Sequence, residues 1–354
     1  MKRVTFTLLA FSFLVFSASA KIWRVNNNQG VNADFTTLSA AHDGAVAGDT
    51  IHLEASPNSY GGATFTKKLV VFGPGYYLDQ NPNTQAAKQT AIVSSITLYA
   101  GASGSVIAGL DFGNGSISVY ASDVTIRRNK FAQAYGSNFD YYTGSVNTYT
   151  NYQGNNAPVS NIIISQNFGL RIIVNNPSPD ILISNNYLSY YSYAGDGTTG
   201  DVLYLNANAT GIIQNNIIRR GKVTINNSTI TNNIMMAGTF SGTGNLVSNN
   251  LANASQFGTD NNNKANVDMA TVFLGAGTDI SYDSQWKLAS ASPAIGAGYG
   301  STAQNPIDAG MYGGHTPYIL SGLPAIPSIY YFENKPVGSN GDPITVTIKV
   351  KSNN

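Results

Sequence analysis

Seven segments decide the fold: VIAGLDF (106–112), VTIRRNKF (124–131), IIISQNFG (162–169), ILISNNYL (181–188), GIIQNNII (211–218), STITNNIM (228–235) and NLVSNNLA (245–252). Each is a short alternating apolar run, then a polar corner, then usually another apolar residue. The corner positions are Asp111, Asn129, Asn167, Asn186, Asn216, Asn233 and Asn250, separated by 18, 38, 19, 30, 17 and 17 residues. The base unit is therefore 17–19 residues, with two oversized units. So short a period cannot hold a helix pair or a propeller blade. It fits one coil of a β-solenoid with three short strands per coil. Strands that bury one face alternate. A corner amide both donates and accepts, so asparagines in successive coils can bond to one another where water is scarce. The spacing predicts a ladder of Asn129, Asn167, Asn186, Asn216, Asn233 and Asn250, opened by Asp111.

Outward from the corners, each unit reads as a strand before the corner, a very short strand after it, and a third strand. The third strands are expected at 116–120, 171–174, 201–205 and 222–225. Both oversized units carry their extra residues between the short strand and the third: AQAYGSNFDYYTG (132–144) and SYYSYAGDGTTG (189–200). Two such loops form a wall along one edge of the third-strand sheet. Inserted at a corner, they interrupt no coil, so folding is expected not to need them. Their tyrosines, Tyr141, Tyr142, Tyr190 and Tyr191, suit sugars, because the ring stacks and the hydroxyl bonds. The stretch SVNTYTNYQGNNAP (145–158) adds tyrosines on the other edge.

The corner pattern resembles the asparagine ladder of the right-handed parallel β-helix in the pectin-lyase-like superfamily, over most of the chain from Trp23 to Gly314. The run FTTLSAAHDGAVAGDTIHL followed by TKKLVVFGPG resembles the beginning of secreted bacterial β-helix proteins. The run WKLASASPAIGAGYG followed by IDAGMYGG resembles their closing signature. The resemblance implies an all-β, right-handed parallel β-helix, with the third-strand sheet carrying the binding groove. It implies no single activity, since this fold serves lyases, hydrolases, adhesins and non-catalytic surface proteins.

The flanks are consistent with export. Residues 1–20 read as a signal peptide: Lys2 and Arg3, an apolar run from Phe6 to Phe16, and Ala18-Ser19-Ala20 at the cleavage site. The apolar run is too short to span a membrane, and no later stretch qualifies. Without Lys2 and Arg3, the 19 basic residues become 17 against 18 acidic, a balance of −1 that offers no basic surface for nucleic acid. Cysteine is absent, so stability rests on stacked coils. Residues 21–315 are expected to form the β-helix domain. A short helix in LSAAHDGAVA, capped by Asp34 or Thr36, closes its open end. His42 and His52 read as structural residues of this cap. Residues 76–91 read as an insertion loop, and residues 253–282 lose the period and loop away. Residues 316–354 read as a proline-punctuated linker and a strand pair.

Two chemistries suit such a scaffold. Polygalacturonase-type hydrolysis requires paired carboxylates, and the Asp-Asp pair and Gly-His-Gly segment of those enzymes are missing. Lyase chemistry requires a base and a cation to neutralise a uronate carboxylate. In pectate-lyase-like enzymes calcium fills the second role, so calcium enters only with this reading. Here Arg171, Asp201, Tyr204 and Lys222 lie on third strands. If Leu203, Leu205, Val223 and Ile225 point inward, Tyr204 and Lys222 point outward, with Tyr204 between Arg171 and Lys222. Arg127, Arg128, Arg219 and Arg220 read as solvated corner residues. The row favours a secreted or cell-surface protein that binds extracellular polysaccharide or another surface partner without catalysis. The rival is a polysaccharide lyase using Lys222 or Arg171 as base, with Tyr204 assisting.

Overall fold

The computed structural model describes residues 20–135, 138–149, 158–190, 200–277, 279–335, 338, 341 and 343–353. The signal peptide before residue 20, Tyr191 and most of the 150–158 stretch lie outside the described residues.

The chain winds as a right-handed parallel β-helix with three faces. The first sheet has ten parallel strands, from Ile22–Val25 through Ile162–Ser165 to Leu246–Ser248. The second collects the short strands after the corners, Tyr187–Ser189, Ile217–Arg220, Ile234–Met235 and Leu251–Ala252. The third runs from Ala63–Phe65 through Ser116–Val119, Asp201–Leu205 and Lys222–Thr224 to Thr239–Ser241. One strand, Phe168–Val174, turns no sharp corner and belongs to both the second and third sheets. Alternate residues fill the interior. Ile172, Leu203, Leu205, Val223 and Ile225 are all buried there, as alternation predicts.

The ladder runs through all six predicted asparagines. The Nδ2 of Asn129 donates to Asn167 Oδ1 (3.2 Å), and the chain continues through Asn186, Asn216 and Asn233 to Asn250 at 2.9–3.0 Å. Each Oδ1 also accepts the backbone N–H of the preceding rung's asparagine, for example Asn216 N to Asn233 Oδ1 at 2.9 Å. Each Nδ2 donates to a carbonyl of an inner-face isoleucine as well, such as Ile213 for Asn233. All six side chains are completely buried, and these bonds satisfy both ends of each rung amide.

Three expectations need correction at the corners. Asp111 is not a rung. Asn129 Oδ1 accepts from Leu110 N, so Leu110 holds the rung position, and Asp111 instead pairs with Lys130 Nζ at 2.8 Å. The ladder also does not stop at Asn250, whose Nδ2 donates to Asn263 Oδ1 at 3.1 Å. Residues 253–263 therefore make one more, shorter coil before the chain leaves. Finally, Ser145–Thr148 is a third-sheet strand between Ser116–Val119 and Phe168–Val174. The 38-residue unit is a single coil whose wall loop ends at Gly144.

The turn itself is made by the residue before each rung. Arg128, Gln166, Asn185, Asn215, Asn232 and Asn249 all have left-handed backbone, with φ of 55–60°. Asparagine tolerates this conformation better than most residues. Its amide also points outward, and there it finds a second partner. The chain after the last coil runs back along this row. Asn249 Nδ2 donates to Ala297 O, Asn215 Nδ2 to Asp308 O, Asn185 Nδ2 to Gly313 O, Gln166 Nε2 to Pro317 O and Arg128 Nη1 to Leu323 O. Each Asn-Asn pair thus has two jobs: the second residue ties coils together, and the first ties down a strap.

Under the strap lies a second core, outside the solenoid. The residues following the rungs, Phe168, Tyr187, Ile217, Ile234 and Leu251, face outward yet are fully buried. Phe273, Trp286, Met311 and Tyr318 cover them together with Tyr76 of the insertion. The knot is Asp283, completely buried. It accepts from Asn81 Nδ2 (3.0 Å), Ser281 Oγ (2.7 Å), Ser321 N (2.7 Å) and Tyr318 OH (3.2 Å). Burial pushes the hydroxyls of Tyr76, Tyr187, Tyr312 and Tyr318 well above the ordinary tyrosine range.

At the open end the helix spans Leu38–Gly44, with Thr37, not Asp34 or Thr36, capping Ala40 N. His42 is buried, takes the N–H of Thr66 and stacks on Phe65, a structural role. At the other terminus Ser328–Asn334 and Val346–Lys351 form an antiparallel pair. Ile329 O accepts from Ala86 N of the insertion.

Candidate functional site

The third sheet turns an open, polar face outward. One outward row reads Thr64, Thr97, Ser118, Asn147, then Ile173, Tyr204, Thr224 and Ser241. Successive coils place these positions ~4.8 Å apart. The neighbouring row carries Ser116, Ser145 and Arg171, then Asp201 and Lys222. Hydroxyls and amides therefore line the face along the solenoid axis, with the charged residues gathered toward its C-terminal half.

The predicted row is assembled, with one shift. Arg171, Asp201 and Lys222 occupy the same row, but Tyr204 stands in the adjacent one, two residues further along its strand. Leu203 lies opposite Ile172 and Val223, so alternation alone sets Tyr204 level with Ile173 and Thr224, and a bulge is what brings Asp201 into the row of Arg171 and Lys222. Asp201 pairs with Lys222 and Leu203 with Val223, so Val202 is an extra residue turned into the core. Arg171 is held from two sides. Its Nε donates to Asp201 O at 2.8 Å, and its guanidinium lies 4.2 Å from the Tyr190 ring centroid. Such stacking fixes the planar group while its terminal nitrogens stay available for a carboxylate or sulfate. Lys222 is exposed and Tyr204 half-exposed. The Oδ1 of Asp201 is buried without a hydrogen-bond partner among the described residues.

Tyrosines border this face on both edges. On the wall edge, Ala132–Tyr135 and Asn138–Thr143 pair as an antiparallel hairpin. Tyr141 and Tyr142 meet edge to face with ring centroids 4.7 Å apart, and Tyr190 lies on Arg171. On the opposite edge Tyr99, Tyr120 and Tyr149 follow consecutive third strands. Tyr99 meets Tyr120 edge to face with ring centroids 5.8 Å apart, and Tyr120 stacks on Tyr149 at 5.2 Å. Tyr149 belongs to the stretch expected on this edge, whereas Tyr99 and Tyr120 were missed in the sequence reading. Their signal is an aromatic after the last inward residue of successive strands, in LYA (98–100) and VYA (119–121).

The wall also has a structural part. Asp140 of the hairpin is completely buried, bonded to Arg219 Nη1 (2.5 Å), Arg220 Nη2 (2.8 Å), Ser189 Oγ (2.5 Å) and Tyr187 OH (3.2 Å). Arg219 and Arg220 are therefore not solvated corner residues, and residues 133–143 are tied into the fold rather than appended to it. The adjacent arginines just after a corner are the sequence signal for this cluster, and their partner lies about 80 residues earlier in the chain.

His52 lies on the first sheet, stacked on Phe72 at 4.5 Å. Burial, foremost, pushes its imidazole down, with Arg24 acting the same way and Glu54 opposing. It is remote from the third-sheet face.

Comparison with known proteins assigns no family: no family model matches the chain, and no curated protein matches it.

Proposed function

We propose that this is a secreted or cell-surface β-helix protein of the pectin-lyase-like type that binds an acidic extracellular polysaccharide along its third-sheet face, without cleaving it. The reading is carried by one observation: a row of hydroxyls and amides along the solenoid axis, bordered on both edges by tyrosines and punctuated by Arg171 and Lys222. A sugar chain lying along the axis meets hydrogen-bonding groups at every coil and apolar ring surface at the edges. Uronate or sulfate groups would face the two cations, on the order of 10 Å apart across two coils. Tyr204 supplies contact area between them, and Tyr141, Tyr142 and Tyr190 belong to the wall. The targeting pattern in residues 1–20 supports export.

A glycan array probed with the protein tests the reading. Retention on uronate-containing or sulfated glycans is expected, and retention on neutral glycans alone contradicts it. Ultraviolet absorbance after incubation with alginate, pectate and chondroitin separates binding from the lyase alternative. Unsaturated product would overturn the non-catalytic reading and place the base at Lys222 or Arg171.

A further inference from the structure

The three faces of the solenoid are not alike. The second is sealed by the strap and the third is polar, but the first carries a stripe that neither role explains. Its outward row stacks one position from each of ten strands, from Ile22 at one end to Leu246 at the other. No member is charged. Thr50, Thr125 and Thr229 are the polar members and the other seven are aliphatic. The ends are the most exposed, Ile22 at 59% and Leu246 at 72%, and Ile212 is 47% exposed. A groove of ≈ 470 Å³ runs beside Leu182, Ile212 and Leu246. In a chain whose other open face is hydroxyl-rich, an uncharged row of seven aliphatic residues and three threonines ~43 Å long (nine steps of ~4.8 Å) is not ordinary surface scatter.

We propose that the first-sheet stripe is the interface for a second copy of this chain, packed face to face as a two-fold dimer. Flat sheets pack well on flat sheets, ~10 Å apart. A two-fold axis lying in the interface lays the stripe on itself, so every member of the row meets another member of the same row. When the two solenoids run in opposite directions, Ile22 meets Leu246 and Val106 meets Leu182, and the hydroxyls of Thr50 and Thr229 meet each other. The area is adequate though not large. A strip ~43 Å long and ~14 Å wide, two pleat repeats, takes in the flanking outward row as well, in which Arg24 and Arg127 would face Ser248 and Ser165, and buries roughly 600 Å² per partner, about 1,200 Å² in all. That is the lower end for specific association. The dimer is therefore expected to be reversible and concentration-dependent. It leaves the third-sheet face of each copy open.

Sedimentation velocity from about 1 μM to about 300 μM tests this, a span chosen to bracket micromolar dissociation constants. Wild type should pass from monomer to dimer, and Ile212→Lys should weaken association at least tenfold. Because Ile212 is solvent-facing, its replacement leaves the coil intact, which circular dichroism verifies. The chain has no cysteine, so a single introduced thiol reports cleanly. Thr125→Cys, near the stripe's midpoint, lies close to its own copy in either orientation. It should give a covalent dimer with a short bis-maleimide, whereas Thr224→Cys on the third sheet should not. A protein monomeric at about 300 μM, or a dimer indifferent to Ile212→Lys, overturns the proposal. So does binding of the stripe to lipid vesicles or an apolar polymer by a protein that stays monomeric.

Discussion

The second and third faces are built from the same coils but spend their outward positions differently. On the second, Phe168, Tyr187, Ile217, Ile234 and Leu251 point away from the solenoid and are sealed beneath Trp286, Met311 and Tyr318. On the third, the equivalent positions are Ser, Thr, Asn, Tyr, Asp, Arg and Lys with one Ile, Ile173, and no strap covers them among the described residues. The inner face of a coil is committed to the core, so only the outward set can vary without breaking the stack. One outward set here extends the core and the other presents chemistry. Substitutions on the second face should therefore register in stability, and those on the third in binding.

The largest expected effect is at the knot of the seal. Asp283→Ala leaves Asn81, Ser281, Tyr318 and the Ser321 N–H without their shared buried acceptor. It should cost on the order of 3–5 kcal/mol, read as a shift in denaturant midpoint. A shift near zero would mean that the strap contributes nothing. Asn233→Ala removes a completely buried rung and should cost on the order of 1–3 kcal/mol. A melting temperature unchanged in Asn233→Ala and in Asn216→Ala would break the ladder account.

The seal also carries a pH signature. Burial raises Tyr76, Tyr312 and Tyr318 well above their ordinary value. Their contribution is fully present below the unfolded tyrosine pKa of about 10 and is lost as pH rises above it. The melting temperature should hold to about pH 9.5 and then fall by several degrees. Spectrophotometric titration should find phenols that ionise only with unfolding. A smaller effect separates the two residues of a corner pair. Asn215→Gly keeps the left-handed turn but loses the strap bonds to Asp308 O and Gly310 O, at about 1 kcal/mol. A loss as large as that of Asn216→Ala would contradict the division of labour between the pair.

The inner half of this architecture was legible because it is periodic. Alternation and the recurring asparagine fixed the phase of the strands, the burial of Leu203 and Val223, and the outward direction of Arg171 and Lys222. What escaped was what depends on contacts distant in sequence. Asn185 and Asn215 look like ordinary turn residues until the chain near residue 310 is folded back on them. Asp140 looks like one polar residue in a loop until Arg219 and Arg220 stack beside it. Tyr204 falls outside the Arg171 row because Leu203, not Tyr204, is the neighbour of the residue after Arg171, and the alignment of Asp201 with Lys222 comes from one bulged residue, Val202, which strict alternation cannot register. Asp111 was misread because a glycine, Gly109, makes its turn and an apolar residue, Leu110, takes the rung.

The most direct test of the functional claim replaces Arg171, Tyr204 and Lys222 together by alanine and measures affinity for an acidic polysaccharide as salt is raised. Tyr204 and Lys222 reach the open face and Arg171 gives up one hydrogen bond and its stacking on Tyr190, so stability should fall by no more than about 1–2 kcal/mol. Parent binding should weaken with salt, as expected for contacts between exposed charges, and the triple variant should bind at least tenfold more weakly with little salt dependence left. A folded triple variant that holds the polysaccharide as tightly as the parent, with the same salt response, would contradict the assignment of the third sheet as the ligand face.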